Sequence, residues 1–400
     1  MKYPSKSVDR YGIREEKGKK SMENDANRVW ACEVWREAAE RTMKNAAVIG
    51  AAFPETAAGG VYRLTPHLSS WVNGFWPGIL WLVYDRTGDG SLKETARACE
   101  KKLDAVLATP ENLAHDAGFI WTLSAVADYK LTGDPAAGTR GLRAAMCLAS
   151  RFNPAGGFFR SWGDIPGKDT TGWTIADNMM NLPILYWASE NTGDPRFRNM
   201  ACRHTDTVLR HLIRPDGSAN HIIKLDPVTG EAAESREDCL DYTQGAGLDS
   251  AWTRGQAWVI YGLALGSRYT GRGEYLDTAK RCAHYFLAAL DDSGVPPIDF
   301  RGDPARMGMD SSAGAIAACG LLELAAQIPQ SQRSMYERGA VRILKGLRCH
   351  CAEQGNAQNL LAHGATHYSA DETRDVGLIY GDYFYMEALY RLSGGTAVFW

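Results

Sequence analysis

The chain has 400 residues, 45% of them hydrophobic and 23% charged, with a formal net charge of −3. This is a globular composition, long enough for one large domain or two ordinary ones; it carries no polybasic signal for nucleic acid and no run of about 18 apolar residues that would span a membrane. The nine cysteines are scattered, odd in number and without a C-x-x-C pair, which predicts buried free thiols in a reducing compartment and leaves no clustered ligands for zinc.

Residues 1–25 open with a polar, charged stretch that lacks the apolar segment of a secretory leader. A flexible N-terminal arm is expected there, then a single domain over residues 26–400, located in the cytoplasm. A turn then recurs along the chain: Tyr84-Asp-Arg-Thr-Gly-Asp, Tyr129-Lys-Leu-Thr-Gly-Asp, Ser189-Glu-Asn-Thr-Gly-Asp and Arg268-Tyr-Thr-Gly. Each closes one helical pattern and opens another, because glycine suits the left-handed position past a helix end and Asp or Pro the next helix start. Two weaker turns, at Gln327-Ile-Pro-Gln and Arg391-Leu-Ser-Gly-Gly, bring the count to six. Between the turns the apolar period is helical, as at Tyr275, Ala279, Cys282 and Phe286. Strand-like alternation is confined to Ala155–Arg160 and Asn220–Leu225. The prediction is an all-α domain of stacked helical hairpins. Solenoid repeats keep a fixed period, whereas these intervals vary and the long segments all fall opposite the short turns. That favours a closed toroid with six loops, rich in Trp, Tyr, Gly, Asp and His, around one pocket.

Residues 171–187 are the densest of those segments. A loop at Gly172-Trp173 gives way to an apolar helix over Met179–Trp187, with Asp177 and Asn178 at the junction. A carboxylate there ordinarily caps the helix; at the mouth of a helix apolar on nearly every side it is also desolvated, which raises its pKa towards that of a general acid. His115-Asp116-Ala-Gly-Phe opens a second helix in the same way. Two independent caps and a carboxylate pair that splits its pKa values both satisfy the spacing. Further on, Trp252, Arg254 and Trp258 stand near a Gly-rich loop and a helix start. Aromatic faces for a sugar and a guanidinium fork for a carboxylate would suit an acidic sugar; core tryptophans and an Arg254–Asp249 pair are the plainer reading. His221, alone in a strand-like insert, carries little weight. Neither a phosphate loop nor a Ser–His–Asp order is present.

Taken together, Trp71-Val-Asn-Gly-Phe-Trp-Pro-Gly, His115-Asp-Ala-Gly-Phe, Asp177-Asn-Met-Met-Asn-Leu-Pro, Trp252-Thr-Arg-Gly-Gln-Ala-Trp, Asp310-Ser-Ser-Ala and Tyr380-Gly-Asp-Tyr-Phe-Tyr resemble the unsaturated glucuronyl hydrolase family, glycoside hydrolase family 88. The resemblance implies an (α/α)6 barrel. It also implies a substrate: an oligosaccharide made by a polysaccharide lyase, ending in a 4,5-unsaturated uronic acid that is removed by hydration of its double bond. It assigns Asp177 as general acid and base, Asp116 as the second essential carboxylate, and Trp71, His115, His221, Gln244, Trp252, Arg254 and Trp258 to the substrate pocket. No metal or cofactor is implied, and the chain is expected to act as a monomer or homodimer. The related rhamnogalacturonyl hydrolases, an ordinary inverting glycosidase on the same toroid and a non-catalytic helical-repeat binding protein are the competing readings.

Overall fold

The computed structural model describes residues 22–109, 113–306 and 308–400. After α1 (Met22–Ile49), α2 (Phe75–Thr87) and α3 (Gly90–Leu107) meet at the first Thr-Gly turn, and the chemistry of that turn explains its recurrence. Gly88 sits at φ +69° and donates its N–H to the Tyr84 carbonyl, ending α2. Thr87 Oγ1 accepts the Asp89 N–H at 3.2 Å, and Asp89 Oδ1 accepts the Ser91 N–H at 2.9 Å, which caps α3. The device returns at Thr132–Asp134 and Thr192–Asp194, with the aspartates accepting from the Ala136 and Arg196 N–H groups. Thr270 and Gly271 repeat its first half.

These turns join successive helix pairs. A run of α4 (Ala117–Trp121), a π-helical turn over Thr122–Val126 and α5 (Ala127–Thr132) leads to α6 (Pro135–Ser150). A pair of short helices, α7 (Asn178–Asn181) and α8 (Pro183–Thr192), leads to α9 (Pro195–His211). Thereafter α10 (Thr253–Thr270) leads to α11 (Gly273–Ala289), α12 (Ser311–Gln327) to α13 (Gln330–His350), and α14 (Ile379–Leu392) is the last. The helix expected over Met179–Trp187 is divided at Leu182 because Pro183 has no N–H to continue the ladder.

The first member of each pair is buried all round: α10 from Thr253 to Ser267, α12 from Ser311 to Ala325. The second shows one buried stripe, in α11 Tyr275, Thr278, Ala279, Cys282, Ala283 and Phe286. Inner helices α2, α4–α5, α7–α8, α10, α12 and α14 therefore form a ring, with the striped helices outside. Five of the six expected turns join inner to outer helices. The sixth, at Arg391–Gly395, ends α14 without starting another helix; α1, from the other end of the chain, packs outside α14 and closes the (α/α)6 barrel. Of the arm expected over residues 1–25, residues 1–21 lie outside the described residues, and α1 already begins at Met22. No helix among the described residues is long and apolar enough to cross a membrane.

The long segments cover the end of the ring opposite the Thr-Gly turns. They carry β1 (Pro54–Ala58), β2 (Val61–Leu64), β3 (Phe152–Asn153), β4 (Phe158–Phe159), β5 (Trp173–Ile175), β6 (Ile222–Lys224), β7 (Gly364–Ala365) and β8 (Arg374–Leu378). The expected strands at Ala155–Arg160 and Asn220–Leu225 shrink to β4 and β6. A four-stranded antiparallel sheet in the order β2-β1-β8-β7 was not foreseen, although Gly59-Gly60, at φ +58° and +78°, is a hairpin signal.

Candidate active site

Asp116 and Asp177 each immediately precede an inner helix, α4 and α7, yet neither side chain makes a capping hydrogen bond. Asp89, Asp134 and Asp194, at the far end of the barrel, all do. The capping reading of Asp116 and Asp177 is thereby overturned, and both carboxylates turn into a cavity at the loop end.

A histidine meets each of them. Strand register delivers the first: β5 pairs with β6 through Ile175 and Ile222, and the Ala176 N–H donates to the His221 carbonyl at 2.9 Å. Asp177 and His221 thus leave the ladder side by side, with Oδ2 and Nε2 3.5 Å apart. Nδ1 of His221 accepts the Gln244 N–H at 3.1 Å, which puts the ring proton on Nε2, facing Asp177. The second pair repeats the logic. His115 Nδ1 accepts the Trp162 N–H at 3.2 Å, and Nε2 lies 3.3 Å from Asp116 Oδ1. Asn181 ties the two helix starts together: its Oδ1 accepts the Phe119 N–H at 2.9 Å and its Nδ2 donates to Asp116 Oδ1 at 3.2 Å.

The two acids differ electrostatically. Burial pushes the Asp177 carboxyl up, but His221, reinforced at longer range by Arg254 and His115, outweighs it and holds the group below the usual carboxylate range. Burial prevails at Asp116, whose carboxyl is raised despite His115 and with the charge of Asp177 adding to the rise. The expectation that desolvation would raise Asp177 is reversed in the free protein, because the histidine facing it comes from a distant strand. Burial also lowers His115, leaving it neutral near pH 7.

Of the residues expected in the pocket, Trp71, His115, Asp116, Asp177 and Gln244 line the cavity. His221 reaches it through Asp177. Trp252 and Arg254 stand behind the wall: the guanidinium lies 4.4 Å from the Trp252 ring centroid, and the Trp252 ring is edge-on to His221. Arg254 is not an open fork. Its terminal nitrogens donate to Asp310 Oδ2 at 3.2 Å, Gln244 Oε1 and the Thr366 carbonyl, each at 2.7 Å, and the Ala365 carbonyl. It fastens the loop at 365–366 beside the cavity, while Asp249, the partner considered for it, pairs with Arg236. Trp258 is fully buried between Phe119 and Phe384, in the barrel core. The wall also includes Glu55, Trp162, His367 and Tyr380, none of which was assigned a role from the sequence. Tyr380 lay inside a quoted motif; Trp162 and His367 fall in loops without periodicity to mark them. Tyr380 is buried and its hydroxyl has no hydrogen-bond partner among the described residues. The cavity encloses about 140 Å³, below the roughly 300–1,000 Å³ that buries a whole drug-sized ligand, so it suits the end of a chain rather than its length. A larger hollow of about 610 Å³ beside Arg151 and Pro227 has no carboxylate in its lining among the described residues.

The family model described as Glycosyl Hydrolase Family 88 matches residues 46–378. Over 366 residues the chain is 38% identical to the unsaturated glucuronyl hydrolase of Bacillus sp. (strain GL1), covering 90% of this chain and 96% of that protein. It is 37% identical over 338 residues to the unsaturated chondroitin disaccharide hydrolase of Streptococcus pyogenes serotype M1, covering 83% of each. The crystal structure of the Bacillus sp. GL1 hydrolase, described as responsible for the degradation of glycosaminoglycan, superposes with a TM-score of 0.85 over 90% of this chain and 96% of that one.

Proposed function

This chain belongs to Glycosyl Hydrolase Family 88, and from that premise we propose that it removes the 4,5-unsaturated uronic acid from the non-reducing end of lyase-generated, glycosaminoglycan-type oligosaccharides. The observation that carries the reading is the pair of uncapped carboxylates, Asp116 and Asp177, each facing a histidine Nε2 in a cavity sized for a chain end. The names of the relatives supply the substrate class.

The C4=C5 bond of such a sugar is an enol ether, because C5 bears the ring oxygen. Entry of the anionic sugar brings negative charge and excludes water, and both raise the Asp177 carboxyl so that it takes up a proton. Protonated Asp177 donates that proton to C4. Positive charge develops at C5 and the ring oxygen, and His221 Nε2–H stabilises the carboxylate left behind. Water adds at C5 and returns its proton to Asp177, which serves first as acid and then as base. The hemiketal opens to a C5 ketone, and the C1 hemiacetal so formed expels the aglycone sugar. Because one carboxylate plays both parts, the spacing rule for two-carboxylate glycosidases does not apply. Asp116, whose carboxyl burial raises in the free site, orients the pair. None of the nine cysteines is in a disulfide, which supports a cytoplasmic setting.

The test follows the ultraviolet absorbance of the conjugated double bond in an unsaturated chondroitin disaccharide. Wild type is expected to abolish the absorbance and Asp177→Asn to leave it while still binding the disaccharide, and heavy-oxygen water is expected to label C5 of the product. Wild type that spares this substrate but consumes a pectin-derived one would move the assignment to rhamnogalacturonyl substrates. Label at C1 would mean ordinary glycoside hydrolysis.

A further inference from the structure

Arg151 follows the end of α6, outside the cavity wall, and among the described residues no carboxylate forms an ion pair with it. Its guanidinium is spent on backbone carbonyls instead. Nε donates to Arg160 O at 3.0 Å, one terminal nitrogen to Leu113 O at 3.2 Å, and the other to Ser161 O at 3.2 Å and to Trp162 O. The Arg160 N–H closes the clamp by donating to the Arg151 carbonyl at 3.1 Å. A planar, always-charged fork suits such a cluster; an ammonium has fewer donors and no fixed plane.

The two segments gripped here are the ones that meet at the first acid. Leu113 lies two residues before His115. Trp162 stands at φ +37°, a left-handed conformation that costs a bulky side chain energy and persists only where the surroundings impose it. That conformation is what aims the Trp162 N–H at His115 Nδ1, 3.2 Å away, and so fixes the tautomer that presents Nε2–H to Asp116. We propose that Arg151 is a positioning residue for catalysis: by clamping Leu113 to residues 160–162 it sets the backbone of Trp162, the tautomer of His115 and through them the orientation of Asp116. The proposal rests on Asp116 having the role given above.

Arg151→Lys keeps the charge and removes the fork, so it separates geometry from electrostatics. Nitrogen-15 spectra of histidine-labelled protein, with His115 assigned by its loss in His115→Asn, are expected to show a single Nε2–H tautomer in wild type and a mixture in Arg151→Lys. The variant is expected to lose about tenfold in kcat with KM within about threefold of wild type, and to lose nothing further when placed in the His115→Asn background. A variant that keeps both the wild-type kcat and the wild-type tautomer overturns the proposal. So does an equal fractional loss of kcat in the presence and absence of His115, which would mark Arg151 as general packing. Should wild type consume no unsaturated disaccharide, the functional reading fails on its own, and the spectra still decide whether the clamp sets the tautomer.

Discussion

His221 acts on Asp177 from a position that the chain order conceals. Its ring is locked by the Gln244 N–H on Nδ1, so its Nε2 proton faces the carboxylate 3.5 Å away. Burial alone would raise Asp177; the histidine reverses the sign. A general acid must be protonated as substrate engages, so its titration in the free enzyme sets the alkaline limb of kcat/KM. Replacing His221 with Asn removes the group that depresses the carboxyl and leaves burial less opposed. The alkaline limb should therefore move to higher pH, and kcat should fall because the carboxylate left after proton donation loses its partner. A pH–rate profile of the variant checks both; an unmoved limb would assign that titration to another group. The sequence pointed to Asp177 and Asp116 as helix-mouth acids and could go no further on charge, since the sign depends on a strand pairing, Ile175 with Ile222, that neither segment announces alone.

Elements carry the acids only because the inner helices approach at glycines. A Cβ on Gly118 would lie 2.4 Å from Asn181 Cα and 2.5 Å from its carbonyl oxygen, so α4 and α7 touch backbone to backbone where the two carboxylates emerge. Gly118→Ala must push them apart, disturbing the Asn181 bridge between Phe119 N–H and Asp116. Overpacking of this kind costs about 1–3 kcal/mol, and the displaced acids should lower kcat about tenfold or more. Gly88→Ala is the control. It meets no atom within 4 Å but sits at φ +69°, so it should cost about 1 kcal/mol from backbone strain and leave kcat unchanged. Urea melts with parallel assays separate the two; a Gly118→Ala protein as active as wild type would show that the helix mouths tolerate the shift. The Thr-Gly-Asp turns were legible because every part of the device is local. The sheet formed by β1, β2, β7 and β8 was not, since it joins strands from opposite ends of the chain. Arg254 was misread for a related reason. Its loop context and neighbouring tryptophans suggested an open fork, but the carbonyls it serves come from residues 365 and 366.

At the scale of the whole molecule, the ring buries charges that look like surface residues. The six-hairpin toroid was legible from the spacing of the turns, but its closure by α1 was not, because no turn links α1 to α14. For the same reason Glu100, in the run Cys99-Glu-Lys-Lys of an outer helix, gave no hint of burial. It is 1% exposed, turned from α3 towards α2 with Trp81 Nε1 donating to one oxygen at 3.3 Å, while the other oxygen has no hydrogen-bond partner among the described residues. Burial, with the charge of Asp128 adding to it, pushes its carboxyl up to about 8 against the opposing pull of Arg140, Trp81 and Arg97. The unfolded chain releases that proton near the ordinary value of 4.5. Between those two values the folded state holds a proton that the unfolded state has lost, so stability falls as pH rises through the window and levels off above it. Glu100→Gln cannot titrate. Set equal to wild type near pH 5, it should exceed it near pH 8 by roughly 3–4 kcal/mol, giving a flatter profile in urea denaturation. Parallel profiles for the two proteins would mean that Glu100 is ionised in the folded barrel and that Arg97 and Arg140, rather than a bound proton, neutralise it.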